Sequence, residues 1–227
     1  MLVSNASISF ATEDDLEVLG QILFEAQGPE AVMAFFFKDW PAVTTMLPFM
    51  TARARMKFAD PHSKVLKIID DTTGEILGVT AITLETGEEK PDRDSTSIAG
   101  ASGAAIPNID WEFGAQVIVG LQLLDEVMVG EKHYVISLLA IRPSYQGRGL
   151  GTKLMNFCAD IADEAGLPTF LTAFPGAHSL YLKLGYEEKT HYDLDLGGYG
   201  KKYRGFGIYR SYGMLRQPGT ASLENKP

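Results

Sequence analysis

Among its 227 residues the sequence has one cysteine, Cys158. That excludes an internal disulfide and any multi-cysteine zinc site, so no metal is expected. Basic residues are also scarce: 20 Lys and Arg against 29 Asp and Glu leave a net charge of -9. An acidic chain is a poor match to nucleic acid and a better one to a cationic substrate. No apolar run approaches the ~18 residues of a membrane span. The opening MLVSNASISF lacks the basic segment and long apolar stretch of a secretory signal. The expectation is a soluble, intracellular (cytoplasmic) protein with no membrane or nucleic-acid partner, in which the sequon Asn5-Ala6-Ser7 has no meaning.

Apolar material is ample, at 45% hydrophobic residues against 22% charged, enough for one large domain. That domain is expected over residues 1–217. GEEKPDRDSTSIAGASGAAIP has no sustained period and predicts a flexible insertion at about 85–110. Residues 218–227 are expected to form a disordered tail.

Periodicity and turn residues divide the chain. Ser7 to Phe10 reads as a strand. Thr12 follows as an N-cap before the acids Glu13, Asp14 and Asp15, and a helix closes at Gly28-Pro29. Residues 30–59 predict a second helical region rich in aromatics. Phe35, Phe36, Phe37, Trp40 and Phe49 are either core and dimer contacts or the walls of a pocket for an apolar or ring-bearing ligand. Val65 to Asp70 and Glu75 to Leu84 form a hairpin around Asp71-Thr72-Thr73-Gly74. Trp111 to Val129 approximates one helical face through Phe113, Val117, Leu121 and Leu124. Thr169 to Ala173, Tyr186 to Leu196 and Gly207 to Arg216 are strand-like, and a short helix at Ala177 to Leu184 precedes the last two. Cys158 falls on the apolar face of a helix, as core packing or as a neighbour of a bound thiol.

The organising stretch is YVISLLAIRPSYQGRGLGT, Tyr134 to Thr152. A buried strand breaks at Arg142-Pro143, three glycines follow, and apolar residues then recur at helical spacing from Thr152 to Ala165. Glycines here let consecutive backbone N–H groups converge on an anion beside a helix N-terminus. Two common nucleotide motifs fail: Gly151-Thr152-Lys153 reverses the P-loop order, and Thr152 stands where a dinucleotide fingerprint needs its third glycine.

Gln146, Gly149 and Gly151 instead match the signature Gln/Arg-x-x-Gly-x-Gly/Ala. Downstream, in SLYLKLGYEE, Tyr181 stands four residues before Gly185, with Tyr186 after it. Together these motifs resemble the GNAT superfamily of acyl-CoA N-acyltransferases, and the C-terminal arrangement is similar to that of uncharacterised fungal GNAT-like proteins. The resemblance implies an α/β (α+β) GNAT fold, a central, mixed, mostly antiparallel sheet of about seven strands flanked by helices. It implies acetyl-CoA or another short acyl-CoA as co-substrate, a small-molecule amine as acceptor, and a monomer or homodimer. Acetylation of protein N-termini or lysines, and a CoA-binding sensor or scaffold without turnover, are the alternatives.

The same resemblance assigns Gly147, Gly149, Leu150, Gly151 and Thr152, with Gln146, to the diphosphate, and the backbone of Leu139 and Ile141 to the pantetheine arm. Arg142 and Arg148 either add charge near the phosphates or are ordinary exposed arginines. The Leu139 amide would meet the carbonyl oxygen, and Tyr181 would stabilise or protonate the leaving thiolate. The aromatics after the first helix, and the additional helix at 111–129, are expected to bear on the acceptor. Many relatives carry an acid on the fourth strand, but Val135 to Ile141 has none, and Ser137 is its only polar side chain. His133, His178, Glu30 and Asp110 are the remaining candidate bases. Phe174 occupies the place of a frequent family asparagine.

Overall fold

A computed structural model describes residues 5–88, 106–200 and 204–220. Strand β1, Ala6–Phe10, is followed by a single 3-10 turn and helix α1, Leu16–Gln27. The predicted cap at Thr12 starts that turn, its N–H donating to the Asp15 carboxylate at 2.8 Å. Next come α2, Met33–Phe36, and α3, Val43–Ala59. The hairpin is β2, Ser63–Asp70, and β3, Ile76–Glu85. Helix α4, Trp111–Asp125, leads to β4, His133–Ile141. Helix α5, Leu150–Glu164, and strand β5, Thr169–Ala173, follow. A short α6, His178–Lys183, precedes β6, Glu187–Asp195, and β7, Ile208–Arg216.

The seven strands form one sheet in the order β1-β2-β3-β4-β5-β7-β6. Only the β4–β5 pair is parallel; the others are antiparallel. This is the expected mixed, mostly antiparallel sheet. Apolar residues separate into two cores, as a sheet buried on both faces requires. On one face lie Leu19, Ile22 and Leu23 of α1, Met46, Phe49 and Met50 of α3, and Phe113 of α4. On the other, Leu150, Leu154, Met155 and Cys158 of α5 pack with Ile82, Ile136 and Leu171. The α5 positions recur at helical spacing, and each fully buried aliphatic side chain contributes roughly 1.5–3 kcal/mol. Cys158 is fully buried, and burial pushes its thiol up to about 12.

Helix α4 turns the expected face inward: Phe113 and Leu124 are buried and Val117 packs against the core. Gly114 and Gly120 are buried with Phe113 and Leu124, whereas Leu123 and Val127 are exposed. Gly120 lies against the Tyr192 ring, 2.3 Å from where a Cβ would stand, so the helix seats on β6 through the absence of a side chain. The expected insertion at 85–110 falls mostly outside the described residues. Its described end is packed, with Ile106 and Ile109 buried and Ile109 bridging Phe37. Most of the expected tail also lies outside; of its described part, Gly219 donates its N–H to Asp163 at 3.0 Å. No helix among the described residues is long and apolar enough to cross a membrane.

Candidate active site

The site begins where a hydrogen-bond ladder stops. β4 and β5 pair at three positions only, Tyr134 with Thr169, Val135 with Phe170 and Ile136 with Leu171. Both strands continue, β4 to Ile141 and β5 to Ala173, without pairing to one another. On its other edge β4 stays with β3 as far as Ile141. Backbone groups of residues 137–141 that face β5 therefore have no strand partner there, and buried peptide groups require partners. The β3–β4 register slips as well: Ala81 faces Leu138 and Ile82 faces Ile136. Ser137 is the extra residue of that bulge, a feature that bends a strand, and it stands where the strands part.

Beyond Ile141 the chain makes a 3-10 turn, Pro143–Tyr145, and passes through Gly147 at φ 70° and Gly149 at φ 82°. Both glycines are in the left-handed region that side chains disfavour. The first helical bond of α5 runs from the Lys153 N–H to the Gly149 carbonyl at 3.0 Å. The N–H groups of Leu150, Gly151 and Thr152 thus have no acceptor within the helix, and a Cβ at Gly147 would meet nothing within 4 Å.

A cleft of about 1170 Å³ joins these parts. It is lined by Ile136 to Ile141, by Gln146, Gly147 and Gly149 to Lys153, and by Tyr181. A second cavity of about 560 Å³ lies on the face of α3 and α4, walled by Phe36, Phe49, Trp111, Val117, Tyr192 and Tyr209. Arg53, Ile136, Ser137, Leu138, Thr172 and Phe174 line both. The gap between β4 and β5 is thus a passage through the sheet, with an open helix N-terminus on one side and aromatic walls on the other.

The expected site residues divide. Gln146, Gly147, Gly149, Leu150, Gly151 and Thr152 line the cleft with Leu139 and Ile141. The Ile141 carbonyl accepts from Gln146 Nε2 at 3.0 Å, and that of Leu139 from Gln27 Nε2 at 3.4 Å. Each carbonyl keeps a second lone pair. Tyr181 lines the cleft while almost wholly buried; desolvation, then the neighbouring Cys158 thiol, raises its phenol above the ordinary range.

Arg142 and Arg148 do not join them. Arg142 donates to the Ile76 carbonyl at 2.9 Å and pairs with Glu25 at 3.0 Å and Glu75 at 3.3 Å, which ties the loop to α1 and the hairpin. Arg148 is exposed over the Tyr145 ring, 5.1 Å from its centre. His133 lies at the far end of β4, buried, its Nδ1 2.7 Å from the Glu131 carbonyl and its ring edge-on to Phe170. His178 stacks on Tyr212 at 3.9 Å, and Asp110 caps α4 by accepting from the Phe113 N–H at 3.1 Å. Of the four candidate bases only Glu30 lines either cavity. Its Oε2 accepts from the Tyr209 hydroxyl at 3.1 Å, and burial first, then Glu30, raises that phenol above its ordinary value.

The aromatic cluster after α1 divides between a cavity wall and the core. Phe36 and Phe49 wall the second cavity, Phe37 is core, and Trp40 is partly exposed, with Nε1 donating to the Gly28 carbonyl at 3.0 Å. Three further features are the Ser137 bulge, Gln27 and Arg53. Only Arg53 had a signal: it follows Met46, Phe49 and Met50 at intervals of seven, four and three, the buried side of a helix.

Residues 30–186 match the family described as the acetyltransferase (GNAT) family. An uncharacterized N-acetyltransferase of Schizosaccharomyces pombe is 30% identical over 120 residues, 48% of this chain and 49% of the relative. The chain thus spans about half the length of that curated relative. Two solved structures share the fold. One is described as histone acetyltransferase HPA2 and related acetyltransferase from Corynebacterium glutamicum, with TM-score 0.62 and 17% identity over 95% of this chain and 98% of that one. The other is arylalkylamine N-acetyltransferase 2 from Aedes aegypti, with TM-score 0.62 and 15% identity over 94% and 99%.

Proposed function

Because the chain belongs to the GNAT acetyltransferase family, we propose that it transfers an acetyl or short acyl group from CoA to the primary amine of a small molecule. The observation that carries this reading is the β4–β5 gap, which connects the glycine-bordered cleft to an aromatic cavity. An acyl-CoA supplies an activated thioester and an anionic diphosphate on one extended molecule. The amides of Leu150, Gly151 and Thr152 suit the diphosphate, since helix N-termini attract anions. The unpaired edge of β4 at Leu139 and Ile141 suits the amide-bearing arm by strand addition. Gly147 and Gly149 leave room for close approach.

In this reading the amine enters from the second cavity, whose modest volume favours a small acceptor over a folded protein surface. Glu30 takes a proton from the ammonium, directly or through water, leaving a neutral nucleophile. The amine nitrogen then bonds to the acyl carbon as the carbon–sulfur bond breaks, with its electron pair leaving on sulfur. The Leu139 amide holds the carbonyl oxygen as it gains charge. The nitrogen loses its second proton and the sulfur gains one, so the products are an amide and free CoA. A phenol raised by burial stays neutral, so Tyr181 acts mainly by donating a hydrogen bond to the thiolate; complete transfer to a thiol of ordinary pKa ~8.5 runs uphill.

Calorimetric titration with acetyl-CoA, followed by thiol release across an amine panel, tests this. Binding with release on small amines is expected. Release only on peptides points to a protein acetyltransferase, and binding without release on any acceptor to a CoA-binding scaffold. Absence of CoA binding rejects the reading altogether.

A further inference from the structure

Arg53 stands at the passage with an incomplete set of partners. A guanidinium has five N–H donors and accepts nothing. Here one nitrogen donates to Gln27 Oε1 at 2.6 Å and approaches the Met50 sulfur at 3.5 Å. Carboxylates line the same cavities, Glu30 the first and Asp60, Glu85 and Asp125 the second. Yet among the described residues none forms a salt bridge with Arg53. Burial depresses its pKa to about 10, so it remains a cation at physiological pH. A half-buried cation without a counter-ion carries part of that desolvation cost, and an arriving anion relieves it.

Its position says where on the acceptor the anion must be. Arg53 is the basic residue that lines both cavities, and it does so with Ser137, whose buried Oγ has no hydrogen-bond partner among the described residues. Through Gln27 it is one side chain away from the Leu139 carbonyl, on the strand segment assigned to the acyl group. An anionic group held there lies within a few bonds of the reacting nitrogen. An α-amino acid has that spacing; a decarboxylated arylalkylamine has no anion, and an internal lysine of a protein has none nearby. Beyond Arg53 the second cavity is walled by Phe36, Phe49, Trp111 and Tyr192, which suits an apolar or aromatic side chain.

We propose that the acceptor is an apolar or aromatic α-amino acid, its carboxylate bound by Arg53 between the two cavities and its amine turned toward the thioester. This rests on the acyltransferase reading and specifies its acceptor. The reaction is the amide formation written above, with the carboxylate unchanged.

Matched pairs test it: phenylalanine against phenethylamine and tryptophan against tryptamine, by thiol release with acetyl-CoA. A charge-assisted contact predicts kcat/KM for the amino acid about 10- to 100-fold above that for its amine. Arg53→Met should collapse that ratio toward one, whereas Arg53→Lys should keep part of it. The inference is overturned by wild-type preference for the amines, by turnover on neither member of either pair, or by equal losses on both members in Arg53→Met, which is the signature of a purely structural prop for Gln27. If Arg53→Met does not fold, the wild-type ratios and Arg53→Lys still decide. Calorimetry keeps the two readings distinguishable, since acetyl-CoA binding with turnover on amines alone rejects the amino acid and leaves the acyltransferase standing.

Discussion

At the scale of single residues, Tyr181 shows how burial selects one chemical role. Its ring is packed edge-on to Tyr186 at 5.8 Å and sits beside Cys158, so the phenolate form is disfavoured and the neutral donor persists. Removing the hydroxyl should leave the ring packing and the cofactor cleft in place. Tyr181→Phe is therefore expected to lower kcat by ~10²-fold, the usual cost of one transition-state donor, while calorimetry finds the acetyl-CoA affinity within about threefold. Equal losses in both would make Tyr181 a packing residue. Arg142 teaches the opposite lesson. From the chain alone it is a cation beside a phosphate loop, but Glu25, Glu75 and the Ile76 carbonyl hold it, and its partners are 66 to 117 positions away in sequence, beyond any local motif.

At the scale of elements, the loop entering α5 is where conformation limits side chain. Gly149 has φ 82°, so Gly149→Ala should destabilise the fold by about 1–2 kcal/mol and weaken acetyl-CoA binding. Gly151 is already within the helix, and a Cβ there finds Leu180 at 3.7 Å and Ile141 at 3.9 Å, ordinary contacts. Gly151→Ala should therefore keep stability and affinity near wild type; thermal melts and titrations of both variants check the contrast. This difference follows from the motif, which demands glycine at the first position and accepts alanine at the second. The strands and most helices were readable in the same way, because two- and 3.6-residue periods and turn residues are local. The parting of β4 from β5 and the bulge at Ser137 were not. They depend on pairing between segments far apart in sequence, and nothing in VISLLAI distinguishes Ser137 from an ordinary inward polar residue. The close seating of α4 through Gly114 and Gly120 was not legible either, since these glycines mark close approach rather than hydrophobicity.

For the molecule as a whole, ion pairs join helix ends to strands of the sheet, and acid should undo them. Asp163 at the end of α5 accepts from Arg216 of β7 at 2.7 and 2.8 Å, and that bond chiefly lowers its pKa below the ordinary 3.8. Asp15 is also lowered; burial works against it, but hydrogen bonds from Lys67 and Thr12 prevail. Carboxylates depressed in the folded state contribute stability that is present above their unfolded pKa and lost as pH falls through the folded one. Thermal midpoints should thus hold steady above about pH 5 and decline below 3.8. Calorimetry on Asp163→Asn should show a shallower acid decline, starting from lower stability, because Arg216 keeps its buried charge without a counter-ion.

The strand order has a consequence for how the site comes into being. β5 is bonded to β4 at three positions but to β7 along all five of its residues, and among the described residues β6 is bonded only to β7. A ribosome delivers β7 after β6, yet β7 must slot between β6 and β5. Until then the outer wall of the gap has no full ladder to hold it. Binding competence should therefore arrive late, when Ile208–Arg216 emerges and inserts, rather than growing with chain length. A chain ended at residue 200 should retain β1 to β4 and α1 to α5 yet take up no acetyl-CoA in a titration; binding by that fragment would show that the wall stands without its last strand.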